Sequence, residues 1–141
     1  MIYTKLTRLA INTAYNAHHG SYDKFEIPYI FHPYHLAEQM DDEYSTCVAL
    51  LHDVVEDTDY TIEDLEKLFP KEIIDALLLL THDNEVPYLK YIENIKSNKL
   101  ATKVKLADLK HNSDTTRLEK IEDKELYRLE KYKKAQEILT K

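Results

Sequence analysis

The chain has 141 residues, enough for one domain whose core needs no disulfide or metal staple. Hydrophobic residues make up 43% of it, which excludes a disordered chain, and the single cysteine, Cys47, excludes an internal disulfide and reads as an inert buried thiol. A net charge of −7 argues against nucleic-acid binding, and a single glycine argues against a sheet with many tight turns.

The sequence therefore predicts an all-α fold of long helices joined by short links. The first helix runs from about Thr4 to His18, with Leu6, Leu9, Ala10, Ala14 and Ala17 at helical spacing. His18 and His19 close it, where a cationic ring would favour the helix dipole. The loop "HGSYDKFEIPYIFHP" holds two prolines and the only glycine, and a short helix starts at His32 or Pro33. One helix is expected from about Asp42 to Asp57. Thr61 with Asp64 forms a capping pattern before "IEDLEKLF". Pro70 opens the next helix and Pro87 another, whose stripe of Tyr88, Tyr91, Ile92 and Ile95 reads as core with one tyrosine edging a pocket. "LATKVKLADLKHN" is a periodic helix. The stretch from Ile121 to Lys141 is a charged helix with a thinner stripe of Leu129, Tyr132, Ala135 and Leu139, packed on the body or on a second subunit, so a homodimer is open. No apolar run approaches the roughly 18 residues of a membrane span. The first residues lack the pattern of a signal peptide, so the expected location is cytoplasmic.

The chemistry concentrates in "VALLHDVVEDT". Val48, Leu51 and Val55 make one apolar stripe and Leu50 and Val54 a second, yet His52, Asp53, Glu56 and Asp57 share an arc between them, with small Ala49 near its centre. Carboxylates gathered in a core need a positive partner. A lysine could serve, but histidine beside aspartate favours a divalent transition metal. Further ligands must come from other helices, and His32 and Asp108 are the candidates. From these residues alone, His52 is open to a second reading as a hydrogen-bonded core histidine and Asp108 as a surface charge.

The segments "PYIFHP", "ALLHDVVEDT" and "VKLADLKHN" follow one another in this order. Together they resemble the HD-domain phosphohydrolases, and within them the hydrolase domain of the RelA/SpoT homologues and the small stand-alone alarmone hydrolases, over about Leu6 to Leu118. The resemblance implies a single compact HD-domain bundle of about seven helices in residues 1–118, with 119–141 as a C-terminal helix packed on it. It implies Mn²⁺ (another divalent transition metal being an alternative) held by His32, His52, Asp53 and Asp108. Glu56 and Asp57 would handle the attacking water, Asn112 would face an anionic nucleotide, and His111 would orient its neighbours. The implied reaction removes the 3′-pyrophosphate from guanosine tetra- or pentaphosphate, with no synthetase activity. The chain departs from the family at Asp23 and Asp114, where basic residues are usual. Lys24, Lys105 and Arg117 would supply part of that charge, with Lys110 at the surface. The departures leave two alternatives: hydrolysis of another nucleotide or nucleotide cofactor at the same site, and a sensor that binds a nucleotide without turning it over.

Overall fold

The computed structural model describes all 141 residues and contains no strand, only an isolated bridge between Tyr22 and Pro28. Its helices are α1 (Lys5–His18), α2 (Phe31–Glu38), α3 (Glu43–Leu51), α4 (Val54–Asp57), α5 (Ile62–Glu66), α6 (Lys71–Leu80), α7 (Tyr88–Lys96), α8 (Lys99–Asn112) and α9 (Asp123–Thr140), with a 3₁₀ turn at Thr115–Arg117 between the last two. Local chemistry fixes many of the ends. Thr4 and Thr7 exchange side-chain and backbone hydrogen bonds at the start of α1, and Thr61 and Asp64 do the same for α5. Pro70 and Pro87 sit just outside α6 and α7 as N-caps with extended ψ, one position earlier than the sequence suggested.

Helix α3 is the axis of the bundle and packs against α1, α2, α6 and α8. From Ser45 to Leu51 every residue is buried, because neighbours cover all sides of the helix. Leu50 and Leu51 each contribute about 1.5–3 kcal/mol by leaving water. Helix α9 packs on α7 and α8, and its Ala135 and Leu139 join the same hydrophobic core as α3.

Three expectations need correction. There are nine α-helices rather than about seven, partly because the single helix expected over Asp42 to Asp57 is two, α3 and α4. The short second helix starts at Phe31, just before the expected His32 or Pro33. His18 is not a solvated cationic cap: it is 2% exposed, and burial lowers its pKa, so its ring is neutral at pH 7.

Candidate active site

The break between α3 and α4 falls on His52 and Asp53. Adjacent residues in one helix diverge by about 100°. At the break, Asp53 leaves helical geometry (φ −105°, ψ 0°), and its carboxylate swings to within 2.9 Å of the His52 ring. His52 Nδ1 donates to the Ala49 carbonyl at 2.6 Å, which fixes the ring and turns Nε2 toward Asp53.

Helices α2 and α8 bring the other two donors. His32 Nε2 lies 2.9 Å from Asp108 Oδ1 and 3.9 Å from Asp53 Oδ2, and His52 Nε2 lies 3.6 Å from Asp108 Oδ1. The donor atoms of His32, His52 and Asp53 all fall within 4.8 Å of one another. Donors sharing one cation at about 2.0–2.2 Å are about 3–4 Å apart, so this spacing suits a metal. His52 Nε2 is itself the test of fit. It is buried, makes no aligned hydrogen bond, and faces two carboxylates. The site also demands positive charge: burial opposes protonation of His52, yet Asp53 and Asp108 outweigh it and hold its pKa well above the ordinary value. Two imidazoles and two carboxylates are a donor set for a divalent transition metal.

A second layer holds these groups. His111 Nδ1 is 2.7 Å from His32 Nδ1, its ring stacked on that of His32 at 5.0 Å. Burial, then Arg117, pushes the His111 pKa down to about 4. The neutral ring can therefore accept a hydrogen bond from His32 Nδ1, which directs His32 Nε2 at Asp108 Oδ1 and the centre of the site. Asp108 Oδ1 accepts from Asn112 at 3.0 Å, and Asp108 Oδ2 accepts from Lys105 at 2.9 Å. Lys105, read from the sequence as a substrate cation, is instead nearly buried beneath Tyr91 and committed to Asp108. Tyr29 donates to Asp53 Oδ2 at 2.5 Å.

Glu56 and Asp57 follow on α4, both residues exposed overall. Glu56 accepts from the His82 backbone N–H at 2.7 Å, which fixes its direction. Asp57 is pushed up to about 6 by desolvation, then by Asp53 and Glu56.

A cleft of about 400 Å³ opens beside His32 and Tyr29. Lys24, Arg117 and Arg128 stand in its wall, with Asn112 and Tyr132. Glu125 stands in the same wall, so with Asp23 and Asp114 three carboxylates accompany the three cations. Lys24 has its pKa lowered by burial first and then by Arg128, with a smaller push from Arg117. Asp23 and Asp114 share the wall but are occupied locally. Asp23 Oδ1 accepts from the N–H groups of Phe25 and Ile27, and Asp114 Oδ1 accepts from Thr116. Arg128 and Tyr29 were not singled out from the sequence. Tyr29 lies in the turn that leads into α2, three residues before His32; Arg128 lies on α9, far along the chain from the other site residues. The tyrosines at the cleft are Tyr22, Tyr29 and Tyr132, whereas Tyr91 points its hydroxyl at the Leu80 carbonyl.

No family model matches the chain. The structure is similar to that of a solved metazoan ortholog of SpoT, reported to hydrolyse ppGpp, with a TM-score of 0.77 and 26% identity, over 99% of this chain and 85% of that one. In sequence it is 34% identical to the bifunctional (p)ppGpp synthase/hydrolase SpoT of Escherichia coli across 79% of this chain. It is 37% identical to the guanosine-3′,5′-bis(diphosphate) 3′-pyrophosphohydrolase MESH1 of Drosophila melanogaster across 61% of this chain. The chain belongs to the SpoT-like HD-domain family. It spans 18% of the length of the bacterial SpoT and 54% of that of MESH1. Against the SpoT-like fold, the helices that carry His32, the His52–Asp53 break and Asp108 form one compact all-α body, and no helix is long and apolar enough to cross a membrane.

Proposed function

We propose that this protein is a metal-dependent hydrolase that removes the 3′-pyrophosphate from guanosine tetra- or pentaphosphate. The observation that carries this reading is the buried His52 Nε2, without an aligned hydrogen bond, among His32, Asp53 and Asp108, set beside a cleft that carries Lys24, Arg117 and Arg128. His32, His52, Asp53 and Asp108 would hold the cation, with Mn²⁺ as the proposed metal. Such a cation lowers the pKa of a water and polarises phosphorus. Glu56, anchored by the His82 N–H, orients the attacking water, and Asp57, the next carboxylate on α4, assists in handling its proton. Lys24, Arg117 and Arg128 gather the phosphates, and Asn112 lies between Asp108 and the cleft. The names of SpoT and MESH1 support the choice of substrate. The reading includes a cytoplasmic location. It also includes a homodimer, supported by the exposed Leu126 and Tyr127 of α9, which light scattering would test.

The decisive experiment is hydrolysis of ppGpp by purified protein with Mn²⁺, with GDP and pyrophosphate separated and Asp53→Ala as control. Turnover that disappears in the variant is the expected result. Turnover that survives in Asp53→Ala would overturn the assignment. A second reading keeps the site and changes the nucleotide. It is favoured by Asp23 and Asp114, whose charges lie in the cleft wall. A nucleotide panel in which phosphate and pyrophosphate release are measured separately discriminates the two.

A further inference from the structure

We infer that Tyr29 is a positioning residue for the metal site: its hydroxyl sets the direction of the Asp53 carboxylate. The inference rests on the metal-site reading above and adds a residue to it.

The Tyr29 hydroxyl is 2.5 Å from Asp53 Oδ2. That oxygen is also the one 2.9 Å from His52 Nε2 and 3.9 Å from His32 Nε2. A carboxylate oxygen has two lone pairs. With one engaged by the tyrosine O–H, the other is directed at the point where the two imidazoles converge. Asp53 needs such a guide. It sits in the turn between α3 and α4, and its helix makes no side-chain cap with it. No other side-chain donor forms an aligned hydrogen bond to it, in contrast to Asp108, which has both Lys105 and Asn112.

The tyrosine ring is held on two sides. His18 lies 4.9 Å away at 45°, and His32 meets it edge-on at 5.8 Å. Buried and neutral, His18 supports the ring without competing for Asp53. Tyr29 also lines the cleft. It thus stands where a candidate metal ligand meets the cleft.

The test is the affinity of the full chain for Mn²⁺ alone, measured by calorimetry, with no nucleotide present. Tyr29→Phe keeps the ring against His18 and His32 and removes only the hydroxyl; a thermal melt in chelator verifies its fold. Loss of an outer donor to a ligand weakens metal binding by about 10-fold or more. The expected result is a loss of that size in Tyr29→Phe, with Tyr22→Phe, a cleft tyrosine making no hydrogen bond to Asp53, unchanged. Equal Mn²⁺ affinity in wild type and Tyr29→Phe would overturn the positioning role and leave the metal site standing. A wild-type protein that binds no Mn²⁺ would overturn both.

Discussion

Lys105 and Asp108 form an ion pair of 2.9 Å one helical turn apart on α8, with side chains 13% and 7% exposed. The lysine's cation is spent before any substrate arrives. Burial opposes the Asp108 carboxylate's charge, but Lys105 and the two histidines outweigh it and hold its pKa well below the ordinary range. Removing one partner of a buried pair leaves the other uncompensated, at about 3–5 kcal/mol. Lys105→Met should therefore destabilise the metal-free protein by about 3 kcal/mol in urea unfolding. Added Mn²⁺ should recover part of that loss by supplying the missing charge. A metal-free stability equal to wild type would show that Lys105 is not what keeps Asp108 ionised.

Arg117 meets Asp23 at 3.5 Å across the cleft, so part of its charge is already answered. Asp23 also organises its own loop through the N–H groups of Phe25 and Ile27. Asp23→Asn retains an acceptor for those bonds and removes the charge. Its KM for an anionic nucleotide should fall severalfold with kcat little changed, the sign of a gain in uniform binding. Asp23→Ala should instead lower the melting temperature as the loop loses its acceptor. An unchanged KM in Asp23→Asn would mean that Arg117 does not contact the substrate.

These two residues also show what the sequence could and could not reveal. Helix starts at Thr4 and Thr61 are legible because side chain and backbone satisfy each other locally. His32, His52, Asp53 and Asp108 stand out because ionisable groups in apolar helices need an explanation. The break at His52–Asp53 is hidden, since apolar spacing continues from Val48 to Val55 and no glycine or proline marks it. Lys105 looks like a free cation until α7 closes over it with Tyr91. Arg128 reaches the cleft only through the docking of α9 on α7 and α8, a tertiary fact with no local trace.

Asp57 gives a pH signature. In the metal-free protein its pKa is about 6 against an ordinary 3.8, through desolvation first and then Asp53 and Glu56. The folded state binds this proton more tightly than the unfolded chain. The group therefore adds stability as pH falls from about 6 toward 3.8, and opposes folding above that window. A cation at Asp53 offsets one of the negative neighbours and should draw the pKa down. Carboxyl ¹³C titration by NMR, without metal and then with diamagnetic Zn²⁺, reads both values. Titration near 3.8 in the metal-free protein would remove Asp57 as a proton acceptor at neutral pH.

Cys47 should be silent. It is fully buried in α3, and desolvation, helped by Glu43, raises its thiol to about 12. The thiolate is the reactive form, so the native protein should resist iodoacetamide at pH 8 and react at one site in denaturant. Rapid native alkylation would mean that α3 opens far more readily than its packing implies.

Glu26 is the one non-glycine residue with positive φ, at 65°. It lies in the loop between α1 and α2, where its N–H donates to the Asp23 carbonyl at 3.1 Å and the chain turns back toward Pro28. A side chain in this region is strained, whereas glycine adopts it freely. The side chain is exposed and has no hydrogen-bond or ion-pair partner, so little is lost with it. Glu26→Gly should stabilise the fold by about 1 kcal/mol, or a rise of about 3–6 °C in Tm. The loop also carries Asp23 and Lys24 into the cleft, so relief of strain there should leave kcat unchanged. A lower Tm would mean that the gain in unfolded-chain entropy from the new glycine exceeds the strain it removes.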